Sequence, residues 1–277
     1  MTMKLTLAAA VALASTAAAA CDRATLDETA RRYITAQSLA QPKYIRALAE
    51  ETTYIENGKP ANISTGILSQ ALKIDHSRTI HDTTNCGTYT ELIVTDPKHY
   101  VIGTQTYLDA NTTKITKIES LVTDKDDWLF NAQHTLYYAL QENWDVIPEA
   151  KRNSRQVIQA AADAYLDLFQ KGSGSIAVPW ADNCRRLEGG LYTAPGDTCN
   201  SGVPSGVDLV NRRYLIDESL GVVEVFLNFG GPTGLPDSHE FRIEGGKIRY
   251  VHTITVCAEF NCGFGDPPAQ LSEDLGW

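Results

Sequence analysis

The sequence predicts an α+β chain made of two divergent copies of one unit, each a helix followed by an antiparallel run of strands. Three observations predict it. A helical pattern opens each half, strand patterns follow, and matching segments recur at a nearly constant offset. Tyr33 and Tyr165 lie 132 positions apart, the Arg78-x3-Asp82 and Arg213-x3-Asp217 pairs 135 apart, and the segments opening at Lys114 and Lys247 133 apart.

In the first unit, Leu26, Ala30, Tyr33 and Ile34 recur at helical spacing and define a helix over 26–40. Strand patterns follow over 52–56, 78–94, 100–108 and 114–123. In the second unit, Ile158, Ala161, Ala162, Tyr165, Leu166 and Phe169 define a helix over 157–169. Its strands run over 213–217, 222–229, 239–244 and 247–256, with Gly245-Gly246 as a two-residue hairpin turn. The polar stretch 141–155, with Pro148, reads as a linker, and 172–206, rich in Gly, Pro and Ser, as a loop stapled by Cys184 and Cys199. The expected domains are therefore 21–140 and 156–262, joined by 141–155 and followed by a tail over 263–277.

Residues 1–20 read as a cleavable signal peptide: Lys4, an apolar run from Leu5 to Ala14, then the small residues Ala17 to Ala20. That run is shorter than the roughly 20 apolar residues a membrane span needs. Removing it leaves 257 residues (277 minus 20) and, without Lys4, takes the net charge from −10 to −11. An acidic balance argues against nucleic acid or an anionic membrane as partner and says nothing about the expected small-molecule ligand or substrate. Six cysteines in the mature part fit an oxidising compartment. Cys184–Cys199 and Cys257–Cys262 close short loops and leave Cys21–Cys86 as the third pair. Asn62-Ile-Ser and Asn111-Thr-Thr are glycosylation sequons. The expectation is thus a secreted glycoprotein.

No Gly-x-Ser-x-Gly, P-loop, Gly-x-Gly-x-x-Gly or His-Glu-x-x-His motif is present. Candidate chemistry falls to isolated polar residues in strands. Alternation places His252 with Ile248, Tyr250 and Ile254, and the offset matches it to Glu119. With a two-residue turn, Glu244 pairs with Lys247 and His239 falls opposite His252, so both histidines open onto one cavity. There His252 is either a general acid or base or a buried, hydrogen-bonded structural residue. Arg213 and Asp217 share a strand face; they either hold an anionic ligand or form ion pairs with the other half. Arg78, His81 and Asp82, with His76, form the densest polar cluster, read as a sheet edge, a domain interface or part of a ligand site. No metal is expected there, since no third ligand is placed.

Two resemblances extend this reading. The unit length, helix-first order and long late strands resemble the cone fold of nuclear transport factor 2 and ketosteroid isomerase, which implies two divergent cone-like domains with ligand sites inside the curved sheets. The segments Ile74 to Asp82, Arg186-Leu187-Glu188-Gly189-Gly190, Asn211-Arg212-Arg213-Tyr214 and Pro236-Asp237-Ser238-His239 are similar to those of an uncharacterised family of secreted filamentous-fungal proteins. The cone resemblance implies an isomerase, cyclase or lyase of fungal secondary metabolism, needing no cofactor. His252 would be acid or base, His239 its assistant, Arg213 the oxyanion partner with Asp217 beside it, and Tyr250, Glu119, Arg78, His81 and Asp82 ligand contacts. The alternatives are a non-catalytic ligand-binding protein and a secreted effector.

Overall fold

A computed structural model describes residues 21–172, 176–192, 199, 202–257 and 262. The expected signal peptide and the C-terminal tail lie outside the described residues.

Each half begins with a capped helix. Helix α1 (Arg23–Leu39) starts where the Asp22 carboxylate accepts the Thr25 N–H at 2.7 Å, and it buries Leu26, Ala30, Tyr33 and Ala36. The helix of the second half, α3 (Arg155–Lys171), starts at Ser154 and buries Ile158, Ala161, Ala162, Tyr165, Leu166 and Phe169. Between them lies α2 (Ala132–Ala139), capped by Asn131.

Among the described residues, twelve strands form two mixed sheets of six. The first holds β1 (Leu48–Glu56), β2 (Lys59–Pro60), β3 (His76–Asp82), β4 (Gly87–Val94), β5 (Tyr100–Leu108) and β6 (Ile115–Thr123), in the order β2-β1-β6-β5-β4-β3. The second holds β7 (Trp180–Glu188), β8 (Leu191–Tyr192), β9 (Leu209–Asp217), β10 (Val222–Phe229), β11 (Leu235–Glu244) and β12 (Lys247–Thr255), in the order β8-β7-β12-β11-β10-β9. The two orders are the same, so the repeat read from the sequence extends to topology.

The expectation of antiparallel sheets is corrected in one respect. In each half the first long strand pairs parallel to the last, β1 with β6 and β7 with β12. The chain crosses from β1 to the far edge and returns through three hairpin partners, so first and last strands meet side by side. The run 78–94 resolves into two strands because the chain turns at 83–86, with Cys86 at positive φ. Strand β7 occupies part of the stretch read as loop.

One face of each sheet covers its own helix and the opposite faces meet each other. Leu92, Ile102, Ile118 and Val122 pack with Leu26 and Tyr33; Val223, Val225, Phe241 and Val251 pack with Tyr165 and Phe169. Ile80, Tyr89 and Leu121 pack against Leu215, Phe226 and Ile254 across the seam between the halves. The stretch 141–155 is held against this seam: Ile147 N–H donates to Ser219 and Arg155 reaches Asp82. Disulfides join Cys21 to Cys86, Cys184 to Cys199 and Cys257 to Cys262. Among the described residues no helix is long and apolar enough to cross a membrane.

Candidate functional site

The last hairpin decides which residues can act together. Glu244 pairs with Lys247 across Gly245-Gly246, but the register slips between Arg242 and Ile243, and from there Glu240 faces His252 while His239 faces Thr253. A one-residue bulge moves every later side chain to the other face. The two histidines expected in one cavity are therefore on opposite faces of the sheet. The matching bulge in the first half lies between Tyr107 and Leu108 on β5, facing β6, and it parts Glu119 from Ile115 in the same way.

His252, Tyr250, Glu119, Arg213, Asp217, Arg78 and Asp82 lie at the seam between the halves. Arg78 makes two hydrogen bonds to Glu240, at 2.5 and 3.2 Å, pairs with Glu91 at 2.9 Å, and stacks over the Trp144 ring. His252 donates from Nε2 to Glu142 at 2.6 Å and from Nδ1 to Glu91 at 3.2 Å. Burial opposes charge on this imidazole, but the Glu142 and Glu91 carboxylates outweigh it and raise its pKa to about 10. Burial likewise opposes charge on Glu91, and Arg78 and His252 overcome it to hold that carboxyl at about 2. Tyr250 stacks on Trp144 and accepts the Asn143 N–H.

Arg213 pairs with Glu119 of the other half at 2.7 Å. Asp82 and Asp217 are partners by repeat and behave alike. Asp82 accepts the Ile216 N–H and pairs with Arg155 at the start of α3; Asp217 accepts the His81 N–H and pairs with Arg23 at the start of α1. The His81 ring, whose basicity is lowered by burial and then by Arg23, lies 3.7 Å from Asp27. Of the two roles left open for Arg213 and Asp217, the structure places both in ion pairs with the other half.

Glu91, Glu240 and His252 bring ligand atoms within 4.8 Å of one another, the spacing of a cation site. Arg78 Nη2 already stands 2.5 to 3.1 Å from all three donors, so the guanidinium supplies the positive charge. This cluster joins the halves.

The opposite face of the second sheet encloses a cavity of about 920 Å³, within the range of small-molecule sites. Its walls include Trp128, Phe169, Tyr192, Phe229 and Leu235, and among the described residues its polar lining is Arg186, Glu188, Asp237, His239 and Thr255. Glu188, at the end of β7, accepts two bonds from Arg186 at 2.7 and 2.9 Å and one from Thr253 at 2.7 Å. Burial works against its charge; Arg186, then His239, outweigh that and hold the carboxyl below its usual range.

His239 and Asp237 alternate on β11 and so point the same way. His239 Nδ1 lies 2.7 Å from Asp237 Oδ2, and the two residues are 2% and 1% exposed. Asp237 Oδ1 accepts from Thr255 at 2.6 Å, and Phe241 stacks beside the His239 ring. Sequence reasoning placed His239 among the candidates but missed Asp237, Arg186 and Glu188 as site residues. The Asp-x-His alternation in a strand was the available signal for Asp237. Asn62 and Asn111 are exposed.

A family model described as a domain of unknown function (DUF8021) matches residues 151–255, which spans α3 through β12. The search of curated proteins finds no match. Among solved structures, an NTF2-like protein of unknown function from Shewanella baltica OS155 is similar at 10% identity and a TM-score of 0.28, over 36% of this chain and 93% of that one. A likeness at that score shows nothing about activity.

Proposed function

We propose that this chain is a secreted protein whose second half binds a small, mainly apolar molecule and moves a proton on it, as an isomerase, cyclase or lyase does. The observation that carries the reading is the Asp237–His239 pair in the wall of the 920 Å³ cavity. The imidazole takes a proton from the bound molecule and returns it at another position; the carboxylate at 2.7 Å stabilises the imidazolium formed in between. Apolar walls strengthen that attraction by excluding water. The role first assigned to His252 passes to His239. Each half is read as a cone-like unit of the nuclear-transport-factor-2 kind, supported by the helix-first order and the repeated strand order. Secretion is supported by three disulfides and the signal-like leader.

The test follows proton exchange by NMR in D2O, with 2-tetralone as a neutral carbon acid. The full chain is expected to accelerate exchange of the protons next to the carbonyl, and His239→Gln to lose about 100-fold or more of that acceleration. Exchange unchanged in His239→Gln sinks the reading. Retention of 2-tetralone without exchange makes the protein a binder only.

A further inference from the structure

We infer that the cavity of the second half selects an uncharged ring molecule through one free hydroxyl, a phenol or an enol, held jointly by Asp237 and His239. This rests on the cavity reading given above and adds the chemical class of its occupant.

Two buried atoms carry the inference. Asp237 Oδ2 and His239 Nδ1 have no hydrogen-bond partner among the described residues, although they stand 2.7 Å apart. The contact between them is close but does not have hydrogen-bond geometry, and each is a strong polar group with less than a tenth of its side chain exposed. Leaving such groups unmatched costs about 1–3 kcal/mol apiece. Among the described residues, the other charged and hydroxyl groups of the lining are engaged: Glu188 with Arg186 and Thr253, and Thr255 with Asp237 Oδ1.

Two atoms 2.7 Å apart can both bond one oxygen placed about 2.8 Å from each. A hydroxyl fits that position, because it donates its hydrogen to Asp237 Oδ2 while its lone pair accepts from His239 Nδ1–H. A ketone offers only acceptors and turns lone pairs toward a carboxylate. An ether has no donor. A carboxylate has no hydrogen to donate and sets its own charge against the Asp237 carboxylate. Phe169, Phe229, Trp128 and Tyr192 in the walls favour a flat ring system for the rest of the molecule. An enol bound this way is held more tightly than its ketone, which is the differential that proton transfer at carbon requires.

The experiment is a fluorescence titration of the full disulfide-bonded chain with 9-phenanthrol, its methyl ether and phenanthrene-9-carboxylate. The phenol is expected to bind about tenfold or more tighter than the ether, with the carboxylate weakest. Asp237→Asn is expected to bring phenol and ether within about twofold, with the ether's affinity kept. If Asp237→Asn does not fold, His239→Gln serves, since it removes the ring donor and must also shrink the preference.

Equal affinity for phenol and ether, no binding of the phenol, or a preference that survives both substitutions overturns the inference. Phenol selectivity without proton exchange on 2-tetralone would leave the ligand class standing and remove the acid–base reading. Exchange without phenol selectivity would do the reverse.

Discussion

The two halves use one scaffold differently, and the strand register allows the comparison residue by residue. Glu56 pairs with Ser120 as Glu188 pairs with Thr253, Thr104 pairs with Ser120 as His239 pairs with Thr253, and Ile102 pairs with Val122 as Asp237 pairs with Thr255. In the first half these positions are held by short hydrogen bonds: Tyr33 to Thr104 at 2.7 Å, Thr104 to Ser120 at 2.9 Å, and Tyr54 donating to Glu56 at 2.6 Å. Ile67 and Leu68 are buried in the core beside them, and Gln37 pins that segment by donating to Ile67 and Gln70. In the second half, a histidine and an aspartate replace a threonine and an isoleucine, and both line the cavity. Among the described residues, one unit buries these positions in its core and its copy sets charged groups in a cavity wall. That contrast supports placing the proposed site in the second half.

The largest expected effect breaks the seam. Arg78 and Arg213 are equivalents, paired across their strands with Glu91 and Phe226. The Arg78 side chain is 8% exposed and serves two carboxylates, whereas that of Arg213 is 31% exposed and shares Glu119 with Lys117. Arg78→Ala leaves Glu240 buried without its cation and Glu91 with His252 alone, and should lower stability by about 3–5 kcal/mol. Arg213→Ala should cost less than about 1 kcal/mol, because the pair is partly screened and Lys117 remains. Urea unfolding of the two variants measures both. Similar losses would mean that the halves are joined symmetrically.

A second change sharpens the difference in filling. Leu68 is fully buried, so Leu68→Ala should cost about 2–5 kcal/mol and leave an apolar cavity. That cavity should bind benzene, read as a rise in melting temperature, while 2-tetralone exchange stays at the level of the unmodified chain. A loss of exchange in the folded variant would show that the first half takes part in the chemistry.

How much of this was legible follows from which signals are local. Helices α1 and α3 and the repeat could be read because apolar spacing and offsets survive divergence. The hairpin at Gly245-Gly246 was legible because a two-residue turn has a residue signature. The bulge beside it was not: no residue type marks the slip between Arg242 and Ile243, yet it sends His252 to the seam and leaves His239 in the cavity. Strand β7 was hidden because Asp182-Asn183-Cys184-Arg185-Arg186 shows no apolar alternation. It forms by parallel pairing with β12, a long-range contact, and with it Arg186 and Glu188 enter the site.

A third contrast concerns pH and again separates equivalent positions, His252 and Glu119. The imidazole of His252 is raised from 6.5 to about 10 in the folded chain, so folding takes up a proton between those values. The stability this contributes is complete below about pH 6.5 and is lost as pH rises toward 10. The Glu91 carboxyl, held at about 2 against an ordinary 4.5, contributes above pH 4.5 and is lost as pH falls toward 2. The two together place the seam's best range between about pH 4.5 and 6.5. Melting temperature should therefore fall from pH 7 to pH 10, and His252→Gln should flatten that alkaline limb while lowering stability at pH 6. Glu119→Gln, on the equivalent strand position, should leave the limb in place. An alkaline limb that persists in His252→Gln would mean that the charge at the seam resides elsewhere, and the contrast between a titrating junction at Arg78 and a fixed one at Arg213 would fail with it.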